Sequence, residues 1–252
     1  MRRNILITGA SSGLGAEMAR QFAAKGHHLA LTARRVDRLE ELRSEILAAH
    51  PDVEVVVHQL DVNDHDQVFA VTKQAAADLG GLDRVVVNAG LGKGVKIGTG
   101  GFAANAETAQ TNFVAALAQC EAAMEHFYER KAGHLVVISS ISAMRGLPST
   151  VTTYAATKAG LAHLAEGIRL DLMGRKNLDI KVTTIYPGYI VSEMNDVVAS
   201  EQKLMADTAT GVRSIVKAID KEVAEASVPG WPWVPLGQVL KRAPLGIVRK
   251  LV

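Results

Sequence analysis

Short runs of β-branched and aliphatic residues alternate along the chain with longer stretches whose apolar positions recur at helical spacing. The short runs fall at residues 4–8, 28–32, 53–59, 84–88, 134–139, 180–186 and 225–228. Several are apolar without alternation, as in Val55-Val56-Val57, Val85-Val86-Val87 and Leu135-Val136-Val137-Ile138. A half-exposed strand would alternate, so these runs predict strands covered on both faces, hence a parallel sheet. Helical patterns occupy 13–25, 36–49, 64–79, 102–131, 153–174 and 208–221. The alternation predicts a doubly wound α/β fold with helices on both faces of the sheet. No linker, repeat or charge block divides the chain, so residues 1–252 read as one domain.

Two stretches break the rhythm. Residues 90–101 carry Gly90, Gly92, Gly94, Gly98, Gly100 and Gly101 and predict a loop. Residues 229–246 carry Pro229, Pro232, Pro235 and Pro244 with both tryptophans between them, and are not expected to form one regular helix.

Composition narrows the functional classes. With 48% hydrophobic residues, the chain can fill the large core that such a sheet needs. The 28 basic and 26 acidic residues nearly cancel, which gives no reason to expect nucleic acid as a partner. Cys120 is the single cysteine, so no internal disulfide forms; a small core residue on a helix is its expected role. The basic start runs into Asn4, Thr8 and the Gly-Ser stretch rather than into a signal-peptide core. With no apolar window of about 18 residues or more, a cytoplasmic protein is expected. The eight histidines form no metal-ligand pattern, and no metal site is predicted.

The first strand runs directly into Thr8-Gly9-Ala10-Ser11-Ser12-Gly13-Leu14-Gly15, where a helix begins. Glycines let a backbone turn sharply and approach a pyrophosphate with no Cβ in the way. A helix N-terminus adds free N–H groups and the positive end of a dipole. This stretch resembles the T-G-x-x-x-G-x-G nucleotide loop of the short-chain dehydrogenase/reductase family. The resemblance continues through Asp61-Val62, Asn88-Ala89-Gly90, Tyr154-Ala155-Ala156-Thr157-Lys158 and Pro187-Gly188, in the family's order. Val87 replaces the first Asn of the family's N-N-A-G. The resemblance implies a single Rossmann-fold domain with a seven-stranded parallel sheet in the order 3-2-1-4-5-6-7. It also implies a nicotinamide cofactor held by Gly9, Ser11, Ser12, Gly13, Leu14, Gly15, Asp61, Val62, Asn88, Ala89, Gly90, Pro187, Gly188, Ile190 and Ser192. Ser192 stands where the family commonly has a threonine that contacts the carboxamide.

The second strand ends Leu31-Thr32-Ala33-Arg34-Arg35. In dinucleotide folds an acidic residue here binds the ribose hydroxyls of NAD, whereas an arginine accommodates the 2′-phosphate of NADP. Ala33 stands at the acidic position of the family's NAD users, and Arg34 follows it. Hydrogen bonds to charged groups contribute roughly 1.5–3 kcal/mol, about 10- to 150-fold in affinity. NADP(H) is therefore the expected cofactor, with Arg34 as the main phosphate contact and Arg35 as a second.

Tyr154 and Lys158 are four apart in a helical pattern and share a face. An ammonium about 4 Å from the phenol at an effective dielectric of about 20 contributes roughly 4 kcal/mol, enough to lower the phenol's pKa by about three units. The resemblance makes Tyr154 the general acid/base and has Lys158 lower its pKa and hold the nicotinamide ribose. The family's catalytic serine leaves twelve residues before the tyrosine. Here Ser140 leaves thirteen and Ser142 eleven. Ser140 is preferred because Ile138-Ser139-Ser140 matches the family's I-S-S run, with Ser142 as the alternative. Asn112, mid-helix where asparagine is not favoured, matches the family's helical asparagine, which holds a water against the lysine.

In this family, residues 189–210 cover the substrate. Here they offer Tyr189, Met194, Val197, Val198, Leu204 and Met205, and Met144 and Leu147 follow the serine. A small-molecule carbonyl or alcohol of apolar, lipid-like character is expected. Lys93 and Lys96 either face the entrance, ready for an acidic group, or are solvated. The Ala-rich stretches 102–131 and 153–174 resemble the pair through which family members form homodimers or homotetramers. In the tail 229–252, Lys241, Arg242, Arg249 and Lys250 flank apolar positions, so segment 234–252 either packs over the cleft or lies weakly on a membrane surface. The competing functional reading is an NADP(H)-binding regulatory or membrane-surface protein without turnover.

Overall fold

Seven strands form where the apolar runs predict them: β1 (Asn4–Thr8), β2 (His28–Ala33), β3 (Val55–Gln59), β4 (Arg84–Val87), β5 (Ala132–Ile138), β6 (Asp179–Pro187) and β7 (Glu225–Val228). The computed structural model describes residues 2–191 and 206–251. The strands pair in parallel in the order β3-β2-β1-β4-β5-β6-β7. This is the doubly wound Rossmann arrangement expected from the sequence.

Unbroken apolar runs are needed because both faces are covered. Ile5, Ile7, Leu29, Leu31 and Val86 pack on one side with α1 (Gly13–Ala23), α2 (Val36–Ala49) and α7 (Thr208–Asp220). Leu6, Ala30, Val85 and Val87 pack on the other with α3 (His65–Asp78), α5 (Ala115–Arg130) and α6 (Thr152–Leu172). Phe22 and Phe127 are fully buried on opposite sides, and each contributes about 1.5–3 kcal/mol through burial. Cys120 lies buried on α5, where burial pushes its thiol up to about 12 and leaves it unreactive.

One expectation needs correction. The stretch 102–131 is not one α-helix. It runs as α4 (Phe102–Ala109), a π-helical turn over Gln110–Val114, and α5. The wider turn carries Asn112, which is fully buried. The tail, as its prolines imply, is not one regular helix: it forms α8 (Gly230–Arg242), kinked at its start, and a separate α9 (Leu245–Leu251). Trp231 has extended backbone angles, so the regular part of α8 starts after it. Pro235 comes four residues after Trp231, so the bond its ring removes is only the first of the regular segment, to the Trp231 carbonyl. Pro244 separates the two helices.

After β1 the chain builds β2 and β3 to one side, then returns to place β4 on the other. The carboxyl ends of β1 and β4 therefore flank a crevice at the point where strand order reverses, the usual ligand position in open α/β sheets.

Candidate active site

The crevice floor is the loop after β1. Gly9 and Gly13 have φ of +65° and +54°, the left-handed region that favours glycine. Gly15 is required for a different reason, close approach. A Cβ there would lie 2.4 Å from the Gly9 carbonyl oxygen and 2.8 Å from Asn88 Nδ2. The loop is laced to the end of β4: the Thr8 hydroxyl accepts from the N–H groups of Asn88 (3.0 Å) and Ala89 (3.1 Å). Asn88 Nδ2 donates back to the Thr8 carbonyl at 2.9 Å. The Ser12 side chain makes no capping bond to α1. The first-turn N–H groups of α1 and its dipole thus suit a phosphate. Gly15→Ala is expected to lower stability by about 1–3 kcal/mol, since neither the Gly9 carbonyl nor Asn88 Nδ2 can swing away without breaking the lacing. Thermal unfolding checks this; a variant that melts with wild type would show that the loop relaxes freely.

One cavity of about 620 Å³ runs along the crevice. One end is lined by Gly9, Ser11, Ser12, Gly13 and Leu14 together with Ala33, Arg34 and Arg35. Asp61, Val62, Asn88, Ala89 and Gly90 form its middle. Ser140, Tyr154, Lys158, Pro187, Gly188 and Ile190 line the other end. Gly15 packs beneath the loop and Asn112 beneath Gly90, rather than on the wall. Ser192 lies outside the described residues, as do Met194, Val197, Val198, Leu204 and Met205 of the expected substrate cover. Arg34 is exposed along the cavity. The Arg35 guanidinium reaches back to the loop, donating to Ser11 Oγ (3.1 Å) and Ser12 Oγ (2.8 Å).

At the far end, α6 brings Tyr154 and Lys158 onto one face, with the Lys158 nitrogen 5.9 Å from the tyrosine ring centre. Lys158 Nζ donates to the Ile138 carbonyl at 2.8 Å, and Ser139 Oγ donates to the Lys158 carbonyl at 2.8 Å. These bonds pin α6 to the end of β5. The Ser140 hydroxyl lies near enough to the Tyr154 phenol to lower its pKa, and it accepts from the Ser142 N–H at 3.2 Å. Ser142 Oγ is buried and has no hydrogen-bond partner among the described residues. Asn112 clamps the segment after β4: Oδ1 accepts from the Leu91 N–H (2.7 Å) and Nδ2 donates to the Leu91 carbonyl (2.8 Å). A Cβ on Gly90 would lie 3.1 Å from Asn112 Oδ1 and 3.4 Å from Lys158 Nζ, so these three groups meet at one point.

The expected lowering of the Tyr154 pKa by Lys158 is not found in the chain alone. Burial raises the phenol above its usual value, the Ser140 hydroxyl opposes this, and Tyr189 adds to the rise. The ammonium is directed at the Ile138 carbonyl, while the half-buried ring loses hydration. Burial likewise depresses Lys158, to about 8. Below that pH the native and unfolded chains both carry the proton, and its burial is a constant cost. Between about 8 and the usual 10.5, only the unfolded chain binds it, so native stability rises with pH. Lys158→Met is therefore expected to melt about 2–4 °C or more above the cofactor-free wild type at pH 7. That gap should close towards pH 10.5, as scanning fluorimetry across pH would show.

Several contributors were not singled out in the sequence. Thr8 and Ser139 act through bonds to neighbouring elements, and Thr8 was legible only as the first letter of the loop motif. Leu91 and Thr111 join the cavity wall. Lys93 does not wait at the entrance for an acidic group: it pairs with Glu107 at 3.0 Å. No helix among the described residues is long and apolar enough to cross a membrane.

A parallel sheet in this order, a glycine loop at the switch point and a tyrosine–lysine pair across the same cavity define a nucleotide-dependent oxidoreductase. The chain belongs to the short chain dehydrogenase family, whose profile it matches over residues 3–203. It is 49% identical over 249 residues to an uncharacterized oxidoreductase of Mycobacterium tuberculosis, covering 99% of this chain and 97% of that one. It is 30% identical over 259 residues to hydroxysteroid 11-beta-dehydrogenase 1-like protein B of Xenopus laevis, covering 99% and 85%. Among solved structures it is similar to an alcohol dehydrogenase of the archaeon Thermococcus sibiricus complexed with 5-hydroxy-NADP, with 26% identity, a TM-score of 0.77 and coverage of 90% and 95%. The protein is thus an oxidoreductase of a family that binds nicotinamide cofactors, and the Cβ-free cradle at Gly9 and Gly15 fits the pyrophosphate of such a cofactor.

Proposed function

We propose that the protein is an NADP(H)-dependent oxidoreductase acting on the carbonyl or secondary alcohol of an apolar, lipid-like small molecule. The observation that carries this reading is a single cavity with Ala33, Arg34 and Arg35 at one end and Ser140, Tyr154 and Lys158 at the other. The loop N–H groups would hold the pyrophosphate, Asp61 and Val62 the adenine, and Lys158 the nicotinamide ribose. Arg34 would hold the 2′-phosphate, with Arg35 braced against the loop serines beside it. When bound, the nicotinamide supplies or accepts the hydride.

The chain's own residues then manage the substrate oxygen. Ser140 orients it by hydrogen bonding, and Tyr154 gives or takes its proton. Asn112, fixed to Leu91 at the point where Gly90 and Lys158 meet, supports Lys158 in the family's proton relay. Leu91, Leu147, Val151 and Tyr189 provide an apolar wall, which suits a hydrophobic substrate; the relative from Xenopus laevis, named as hydroxysteroid dehydrogenase-like, accords with this. Ser140, rather than Ser142, is proposed as the catalytic serine because its hydroxyl meets Tyr154. Ser140→Ala is expected to lower kcat by about 100-fold or more, and Ser142→Ala by much less; the reverse order would move the role to Ser142.

The reading also includes a homodimer through the outer faces of α5 and α6, where Ala156, Gly167 and Leu170 are exposed. Light scattering at micromolar concentration tests this, and a monomer removes it. The central test is NADPH oxidation by purified protein with a panel of aldehydes and ketones. Tight NADPH binding without turnover of any of them would instead support a nucleotide-binding regulator.

A further inference from the structure

β7 lies beside β6 with Val228 opposite Pro187, so the chain leaving β7 emerges next to the substrate end of the cavity. The tail turns there into α8 and delivers Trp233, which is 2% exposed. Its indole sits against Gly188 so closely that a Cβ on that residue would lie 2.1 Å from the ring. On the same side it meets the Tyr189 ring edge-to-face, with centres 5.4 Å apart. Trp233 also forms a small apolar core with Ile141, Leu240 and Val248, against which Met144 packs. Ile141 and Met144 begin and end the turn that follows Ser140. Gly237 of α8 allows this approach, since a Cβ there would be 3.1 Å from Ile141.

One side chain from the tail thus touches both walls of the substrate end. We infer that Trp233 is a positioning residue for substrate selection: wedged between Gly188–Tyr189 and the Ile141–Met144 turn, it sets how far Tyr189 stands from Ser140 and Tyr154. This rests on the oxidoreductase reading of the cavity. Trp233 lines no part of the cavity itself, so it acts through Tyr189 and the turn. Tyr189 is the movable part, being 38% exposed and on the wall, whereas Gly188 is held to β7 by its N–H donating to the Val228 carbonyl at 2.8 Å. The groups expected to bind phosphate and adenine lie at the opposite end, and Gly188, expected to meet the cofactor here, keeps its bond to Val228, so NADPH affinity should change little.

The test compares cyclohexanone with the bulkier 2-decalone in NADPH-dependent reduction by the full chain. Reactions are sensitive to displacements of about 1 Å, which can cost about 10²-fold. On that scale, Trp233→Ala and Trp233→Leu should each shift the ratio of kcat/KM values for the two ketones by about tenfold or more. Trp233→Phe, which keeps a ring against Tyr189, should restore the wild-type ratio, and NADPH affinity should stay within about threefold throughout. Trp233→Leu keeps apolar volume in the tail core and carries the test if the alanine variant does not fold. An unchanged ratio in Trp233→Leu overturns the inference. So does a parallel fall of NADPH affinity and of both ketone rates, which would mark a purely structural role. If the wild type reduces neither ketone, positioning is read from binding instead; the functional reading itself fails only if no aldehyde or ketone of the panel is turned over. In a Trp231→Phe protein Trp233 is the one tryptophan, and 2-decalone should shift both its emission and the melting temperature. Absence of either shift overturns the inference.

Discussion

Tyr154→Phe will leave the fold and NADPH binding nearly intact and lower kcat by about 10²–10⁴-fold, the usual cost of losing a positioned general acid/base. The substitution removes one oxygen and keeps the ring that packs beside Lys158. The lost oxygen is the phenol beside the Ser140 hydroxyl on the cavity wall. The chain alone holds this phenol above its usual pKa, because burial outweighs the help of Ser140. It is therefore a proton donor at neutral pH, which favours carbonyl reduction. Alcohol oxidation needs the deprotonated form and should accelerate as pH rises. Steady-state rates in both directions, with NADPH affinity measured by fluorescence, check the prediction. A variant within a few-fold of wild type would remove Tyr154 from the mechanism.

Arg34→Ala will weaken NADPH by about 10- to 150-fold and NADH by little, the range expected from losing charge-assisted hydrogen bonds to a phosphate. Arg34 is exposed on the cavity and holds no loop group, so its loss leaves the cradle in place. Arg35 differs: its bonds to Ser11 and Ser12 mean that Arg35→Ala disturbs the loop for both cofactors. Adding Ala33→Asp to Arg34→Ala places a carboxylate at the end of β2, where it repels a 2′-phosphate and accepts from ribose hydroxyls. The double variant should prefer NADH. Titration of each protein with both cofactors decides the matter, and equal wild-type affinity for the two would contradict the NADP(H) assignment.

Much of this protein was legible in its sequence because the signals are local. Apolar runs at β1, β4 and β5 follow from burial on two faces, and a doubly covered parallel sheet has no other way to satisfy them. The loop from Thr8 to Gly15 was legible because a strand, a tight turn and a helix N-terminus are contiguous in the chain. The spacing of Tyr154 and Lys158 was legible because helical periodicity puts residues four apart on one face.

What depended on groups distant in sequence was not legible. Asn112 stands out in the sequence as a mid-helix asparagine that matches the family's, but the turn that carries it does not. Only packing against Leu91 and Gly90 shows that the helix widens into a π-helical turn to direct it there. The electrostatics of the pair depended on burial: pattern placed Lys158 beside Tyr154, but the fold sent the ammonium to the Ile138 carbonyl and left the phenol raised. Local spacing left Ser140 and Ser142 open, whereas in the fold one hydroxyl meets Tyr154 and the other lies buried without a partner. The tail's prolines and tryptophans argue against one regular helix, and the tail is indeed kinked at Trp231 and broken before α9, but the helices between those breaks come from packing. The sequence by itself determined the strands, the phosphate loop and the shared helix face of the tyrosine–lysine pair, because each is set by neighbours a few residues away. Tertiary structure alone decided the direction in which burial shifts that pair's pKa values and the seating of Trp233 against Gly188, because both depend on what the fold packs around them.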